Sequence, residues 1–250
     1  MATQLSKTQV DRLGDRLRKG AITEADIRLL DHYRRSFSEA YEGVVEAIRT
    51  ELGLELTGRP AKSTTSISDK LRRESIRLSQ IQDIAGCRLI VPDIANQNSV
   101  VESLTSLFER TTVSDRRAKP SHGYRAVHVV VNSRDKLIEI QVRTELQHLW
   151  AELSEKYSDV IDPAIKYGGG DKNLQEILIA SSLTIAQEES LETQIEDILA
   201  SESSPTVDDK SKLTQAREDL NLLRQKMRED YRDIIQCLEG TEGDSHDISN

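Results

Sequence analysis

Glu139-Ile-Gln-Val-Arg-Thr144, with Ser121-His-Gly-Tyr-Arg-Ala-Val-His128 shortly before it, is the stretch whose reading decides the fold. In an extended strand successive side chains point to opposite faces, so Glu139, Gln141 and Arg143 share one face and Ile140 and Val142 the other. Just upstream, Ala126-Val-His-Val-Val-Val-Asn132 is almost wholly apolar, the pattern of a strand covered on both faces. The polar turn Ser133-Arg-Asp-Lys136 joins the two, and the whole predicts a β-hairpin. A solvated edge strand also carries a polar face. Beside a buried strand, however, a carboxylate and a guanidinium need compensation, and a bound metal with a polyphosphate would provide it.

Outward from the hairpin, Gln82-Asp-Ile-Ala-Gly-Cys-Arg-Leu-Ile-Val91 predicts a second buried strand over Cys87 to Val91. Gly86 there permits close approach of another backbone. Asp83 falls at the mouth of the sheet, where a carboxylate suits Mg²⁺, although a plain turn aspartate reads the same way. Lys62-Ser-Thr-Thr-Ser-Ile-Ser-Asp-Lys70, followed by Arg72, Arg73 and Arg77, places hydroxyls and N–H groups at a helix start with cations in the next turns. That is an anion-binding pattern as well as an ordinary helix cap. Residues 95–109 read as a covering helix with Val100, Val101, Leu104 and Leu107 inward. Residues 114–125 read as a loop carrying Asp115, Arg116, Arg117, Lys119 and Arg125 around Pro120 and Gly123. In it Tyr124 either stacks on a base or packs in the core. After the hairpin, Thr144 caps a helix whose stripe is Leu146, Leu149, Trp150, Leu153 and Tyr157.

The flanks are helical. Residues 6–19 form an amphipathic helix ended by Gly20, and Thr23 starts another. Apolar residues at Ile27, Leu30, Tyr33, Phe37, Tyr41, Val44, Ile48 and Leu52 predict one unbroken helix to Gly53. Tyr167-Gly-Gly-Gly170 interrupts the chain, and helices over 172–199 and 207–238 follow, separated by Ser201-Glu-Ser-Ser-Pro205. Leu213, Ala216, Leu220, Leu223, Met227, Tyr231, Ile234 and Leu238 make a seam that needs a partner, either other helices of the chain or a second copy in a homo-oligomer. The expected organisation is N-terminal helices over 1–57, a core domain over 58–166, an acidic helical extension over 171–240 and a disordered tail over 241–250.

Of the 250 residues 31% are charged and 36% hydrophobic, which describes a polar, soluble chain. The net charge of −9 is uneven: residues 171–250 hold 8 Lys and Arg against 19 Asp and Glu, whereas residues 59–125 hold 12 against 7 and so suit a polyanion. Met1-Ala-Thr-Gln-Leu-Ser-Lys-Thr-Gln-Val10 has no basic stretch followed by an apolar core, and no later run approaches membrane-spanning length. A cytoplasmic protein with no membrane partner is expected. Cys87 and Cys237 stand far apart without neighbouring ligands, which fits a reducing compartment and neither a zinc site nor a disulfide framework.

Taken in order, Lys62…Ser66-Ile67…Lys70…Arg73, Gln82-Asp-Ile-Ala-Gly-Cys-Arg88, Gly123-Tyr-Arg…His128 and Glu139-Ile-Gln-Val-Arg-Thr144 with Trp150-Ala-Glu152 resemble the RelA/SpoT synthetase family over about residues 58–158. The likeness is to its small stand-alone alarmone synthetases, GTP pyrophosphokinases that move pyrophosphate from ATP to the 3′-hydroxyl of GDP or GTP. It implies an α+β, nucleotidyltransferase-like mixed β-sheet flanked by helices, with helical N- and C-terminal extensions. By the same likeness Asp83 binds Mg²⁺, and Glu139 either shares the metal or acts as base on the 3′-hydroxyl. Lys62, Ser66, Lys70, Arg73 and Arg88 would then surround the ATP, Tyr124 would stack on the acceptor guanine, and Lys119, Arg125, His128, Gln141 and Arg143 would line the GDP/GTP side. Such roles suit phosphoryl transfer, in which a protein mainly positions groups and neutralises charge.

This chain departs from the family pattern at two places. Ser154-Glu155 stand where many relatives have a His, and the loop before Gly123 is about one residue shorter, with Arg116 where an aromatic often follows Asp115. Two other readings therefore stay open: pyrophosphate transfer to the 3′ end of tRNA, as in toxin members of the family, and nucleotide sensing without catalysis. The family's hydrolase needs a metal-binding His-Asp pair among further His and Asp residues. Only His246-Asp247 has that order, so no hydrolase activity is expected.

Overall fold

The computed structural model describes residues 5–200 and 207–244. It is the expected α+β fold on a mixed five-stranded sheet, whose strands are β1 (Thr57–Arg59), β2 (Ala85–Val91), β3 (Thr111–Asp115), β4 (Val127–Ser133) and β5 (Lys136–Thr144) in the order β1-β2-β5-β4-β3. The β4–β5 connection is a two-residue turn. Arg134 and Asp135 both have positive φ, 49° and 58°, the left-handed pair that lets a short hairpin follow the twist of its strands. Every residue of β4 from Val127 to Val131 is buried, as its apolar run predicts. β1 and β3 lie outside the sequence prediction because they sit at the sheet's edges and are mostly exposed, so neither shows the alternation that marks a half-buried strand. The stretch expected to be loop from residue 114 thus begins as the end of β3.

Two compact units make up the chain. The first comprises Met1–Leu89, Val101–Ser114 and His128–Gln141. Its helix α1 (Lys7–Lys19) starts at a capping box between Ser6 and Gln9 and ends at Gly20, whose φ of 73° favours glycine. Thr23 and Asp26 form a second capping box at the start of α2 (Glu24–Arg35). The single helix expected over 24–53 is instead α2 and α3 (Ser38–Leu52), broken at Ser36-Phe37. There the Ser36 hydroxyl donates to the Tyr33 carbonyl at 2.6 Å, and the amides of Ser36 and Phe37 bond three residues back, to Tyr33 and Arg34. This tighter turn ends the α-helical ladder. Leu30, Tyr33, Phe37 and Ile48 stay buried, but Ile27, inward by periodicity, is 47% exposed. The N-terminal helices are locked in place by close contacts: a Cβ on Gly14 would lie 2.7 Å from Leu78 Cβ, and the Arg18 guanidinium donates to the carbonyls of Leu71 and Ile76.

The second unit comprises Ile90–Val100, Asp115–Val127 and Val142–Asn250. Thr144 caps α6 (Glu145–Val160) in a capping box with Gln147, and Leu146, Leu149, Trp150 and Leu153 are buried as the stripe predicts. They share a core with Ile165, with Leu178 and Ile185 of α7 (Lys172–Ala200) and with Tyr231 of α8 (Val207–Asp244). The seam on α8 therefore finds cover within its own chain, and its phase differs from the prediction. Leu220 and Tyr231 are buried, whereas Leu223 and Ile234 are 45% and 40% exposed, and Arg224 turns inward to Glu188 and Glu192. A pattern near 3.5 residues drifts around a straight helix of 3.6, so its members cannot all keep one face over 38 residues. α8 also runs beyond Leu238, into the stretch expected to be disordered. Ser201–Pro205, the end of the tail and His246-Asp247 lie outside the described residues.

The predicted close approach at Gly86 is present, since a Cβ there would stand 2.8 Å from the Glu139 carbonyl oxygen. Gly86→Val should accordingly destabilise the protein by about 1–3 kcal/mol through overpacking. Urea unfolding of the variant measures this, and an unchanged midpoint would contradict the contact.

Candidate active site

In the first unit Lys62, which follows β1, and the capped helix after it converge on one carboxylate. The Lys62 amide donates to the Ile84 carbonyl at 2.6 Å, which pins the start of the segment beside β2. Ser63 then caps α4 (Thr64–Arg73), accepting from the Ser66 amide at 3.2 Å while its hydroxyl reaches that of Ser66 at 2.8 Å. Lys62, just before the cap, and Lys70, in the last turn of α4, both arrive at Asp83. Lys62 Nζ lies 2.7 Å from Oδ2 and Lys70 Nζ 2.9 Å from Oδ1. Burial pushes the Asp83 carboxyl up, but the two ammonium charges outweigh it and hold the group at about 2.

Glu139 is the second carboxylate of this unit. The His128 Nδ1 lies 2.9 Å from Oε1, and the Gln141 amide donates to Oε2 at 2.7 Å. Burial raises this carboxyl too. The hydrogen bond and charge of His128, with the Gln141 amide, more than offset that and keep it below the usual glutamate range, while the charge of Asp83 acts against them. The two carboxylates therefore feel one another, both ionised and both already met by donors.

Among the described residues no three His, Cys, Asp or Glu side chains converge into a metal cage. Mg²⁺ does not require one, because it commonly binds through one or two carboxylates together with substrate phosphates and water. Two hard-oxygen carboxylates with cations alongside fit that ion in company with a polyphosphate. Arg88, on β2 opposite Thr57, is half-buried, and Arg73 is exposed and paired with Glu74 at 3.0 Å. His128 and Gln141, assigned by resemblance to the acceptor side, are thus found on Glu139 itself.

In the second unit Tyr124 meets Arg143. The guanidinium lies 5.0 Å from the ring centroid and its Nη2 donates to the Tyr124 hydroxyl at 2.9 Å, with Arg116 5.9 Å from the same ring. Gly123, with φ 89°, brings this turn against the indole of Trp150, where a Cβ would stand only 2.6 Å from the ring. Beside Tyr124 opens a cavity of about 160 Å³ lined also by Trp150, Ala151, Ser154, Glu155, Lys166 and Tyr167. Ser154 and Glu155, one of the two places at which the chain departs from the family pattern, therefore line it. Lys119 is exposed on the loop. Arg125 instead points to Glu189, with Nη2 at 2.8 Å from Oε2. Glu189, Gln97 and Gln147 are buried polar residues that the sequence reading missed; the legible signal was a carboxylate on the face of α7 that also carries Leu178 and Ile185.

Residues 58–158 match the model of the region found in RelA / SpoT proteins. Over 111 residues the chain is 37% identical to an uncharacterized protein of Mycobacterium tuberculosis, covering 43% of this chain and 41% of that one, so it spans about two fifths of the length of that curated relative. The crystal structure of the small alarmone synthetase 1 from Bacillus subtilis superposes with a TM-score of 0.53 at 26% identity, over 68% of this chain and 98% of that one. The same Bacillus protein bound to its product pppGpp gives 0.50 at 25%, over 67% and 98%. The motifs, the sheet and these likenesses agree in matching residues 58–158 to the region found in RelA / SpoT proteins.

Proposed function

We propose that this protein transfers pyrophosphate from ATP to the 3′-hydroxyl of GDP or GTP, making guanosine tetra- or pentaphosphate. The observation that carries the reading is the pair of ionised carboxylates, Asp83 held by Lys62 and Lys70 and Glu139 held by His128 and Gln141, within a RelA/SpoT region. The 3′-oxygen attacks the β-phosphorus of ATP, the bond from that phosphorus to the α-phosphate oxygen breaks, and AMP leaves. Little covalent work falls to the protein in such a transfer, which calls for placed cations and an oriented hydroxyl.

Asp83 and Glu139 would hold Mg²⁺, which when bound neutralises charge on the donor phosphates. Lys62 and Lys70 supply further positive charge there, with Ser66, Arg73 and Arg88 from the same unit on the donor. Glu139, held below the usual carboxyl range, is a weak base; it orients the 3′-hydroxyl and takes its proton late in the transfer. The acceptor base stacks at Tyr124 beside the cavity that Glu155 lines, with Lys119 and Arg143 toward its phosphates. The Bacillus relative, solved with pppGpp, supports a guanine nucleotide here. A tRNA acceptor is the weaker reading, because, of Arg72, Arg73, Arg77, Arg116 and Arg117, which would have to meet the RNA backbone, four are paired with Asp69, Glu74, Asp11 and Asp115, and Arg116 lies over the Tyr124 ring.

Labelled ATP with Mg²⁺ and an equal mixture of GDP, GTP and tRNA should place label on guanine nucleotide. Label on RNA alone, or none with folded protein, would reject the assignment. Glu139→Gln should lower turnover by roughly 10²–10⁴-fold with an unaltered circular dichroism spectrum. The Asp83 carboxyl, at about 2 in the folded state against 3.8 when unperturbed, contributes stability above about pH 4 that is lost as pH falls through 2. Asp83→Asn should therefore be less stable than wild type by about 2 kcal/mol at pH 7, with the difference shrinking below pH 4. Urea unfolding at pH 7, 4 and 3 measures it, and a difference that grows on acidification would be the wrong sign.

A further inference from the structure

Helix α7 lies beyond the RelA/SpoT region, yet it carries three buried polar residues seven apart, Gln175, Ser182 and Glu189, at 9%, 3% and 5% exposure. Seven residues is nearly two helical turns, so the three form one line along the helix. Gln175 donates to the carbonyls of Ile165 and Gly169, and the Ser182 hydroxyl donates to the Gly123 carbonyl at 2.6 Å. Glu189 accepts at both oxygens: Oε2 from Arg125 at 2.8 Å, and Oε1 from Gln147 at 2.7 Å and Thr144 at 3.1 Å.

Ser182 thus ties residues 115–125 directly at Gly123, and from Glu189 the bonds reach the same residues by two further routes. Arg125 holds Glu189 with one terminal nitrogen and donates to the Arg117 carbonyl at 2.6 Å with the other. From the same Glu189, Gln147 leads to Gln97 at 2.9 Å, and the Gln97 side-chain oxygen accepts from the Arg117 guanidinium at 3.1 Å. Arg125 and Glu189 have side chains only 12% and 6% exposed. Drawing Arg125 away to a ligand would leave a carboxylate buried without its cation, a costly state.

We propose that Glu189 is a positioning residue for the acceptor nucleotide: through Arg125 it fixes the loop bearing Lys119 and Tyr124, and Arg125 is the tether of that loop, not a ligand of the acceptor's phosphates. The inference rests on the reading that this loop meets the acceptor. A tether in this place would make binding of the guanine nucleotide depend on a helix outside the RelA/SpoT region, while ATP binding at the Lys62–Lys70 side would not.

The test uses the full chain with Glu189→Gln, with Ser182→Ala as a milder cut of the second tie to the loop, and with Arg125→Gln alone and combined with Glu189→Gln. Steady-state kinetics varied separately in ATP and in guanine nucleotide should show KM for the acceptor raised roughly tenfold in Glu189→Gln, as for loss of a charged hydrogen bond, with KM for ATP unchanged. Amide exchange should quicken over residues 115–125 and not over 62–83. The double variant should be no worse than Glu189→Gln, since Arg125 acts through Glu189. Equal rises in both KM values, an unaltered acceptor KM, or a further loss on adding Arg125→Gln would each overturn the proposal. If Glu189→Gln does not fold, Ser182→Ala and the charge-neutral double variant carry the same comparisons. Absence of any product from wild type would instead remove the functional reading. The tether then stands or falls on amide exchange alone, and unchanged exchange over 115–125 sinks it.

Discussion

A carboxylate stays ionised within a sheet only where donors meet its oxygens, and Glu139 satisfies that condition through His128 on the neighbouring strand and Gln141 two residues along its own. Much of the first unit follows from that one requirement. The hairpin register must bring His128 within reach, which the two-residue turn at Arg134 and Asp135 secures. β2 must pass close to Glu139, which Gly86 permits because it has no Cβ to strike the carbonyl. Asp83, just ahead of β2, adds a second negative charge, and Lys62 and Lys70 balance it. A half-buried group of two acids and two lysines is costly as mere scaffold, since each ion gives up part of its hydration. Perturbed ionisable groups gathered in this way mark a candidate functional site.

The second unit answers a different problem. A loop bearing Arg116, Arg117, Lys119 and Arg125 gathers like charges that repel one another, of which only Arg117, among the described residues, is ion-paired with an acid of the loop, Asp115. Helix α7 provides it with a fixed acceptor in Glu189 and a fixed donor in Ser182, and the Trp150 indole in turn donates to the Leu178 carbonyl of that helix at 2.9 Å. The acidity of the C-terminal segment is thus not all solvated surface. Glu188, Glu189 and Glu192 meet Arg125 and Arg224 in the interior, and burial lifts Glu188 to about 6 against the pull of Arg224. Net charge along a sequence says that a segment is acidic. Which of its acids are partners and which face water depends on the helix face each occupies.

The hairpin, its polar and apolar faces, the caps at Thr23 and Thr144 and the stop at Gly20 were legible because each is a local device: a period of two, a hydroxyl before a helix, a glycine free to take positive φ. The break at Ser36-Phe37 was not, since apolar spacing continues across it and the interruption comes from a side chain bonding back to its own backbone. The edge strands β1 and β3 were not, because strands exposed on most positions need no apolar pattern. On α8 the apolar residues were read correctly and their phase was not. Arg224 belongs to the buried face only because Glu188 and Glu192 stand opposite it.

By itself the sequence determined an α+β core around residues 58–158, a hairpin with charge on one face, and the identity of the residues that carry that charge. Periodicity, caps and motif order are properties of neighbouring residues, and they survive without any knowledge of the fold. Only the tertiary structure decided the pairings: that Asp83 takes both Lys62 and Lys70, that His128 belongs to Glu139, and that Arg125 is bound to Glu189, 64 residues away. Opposite charges are plentiful in a chain of this composition, so charge alone leaves many partners possible. Burial selects among them, because an ion removed from water must have its partner within hydrogen-bond reach, and the folded backbone settles which one that is.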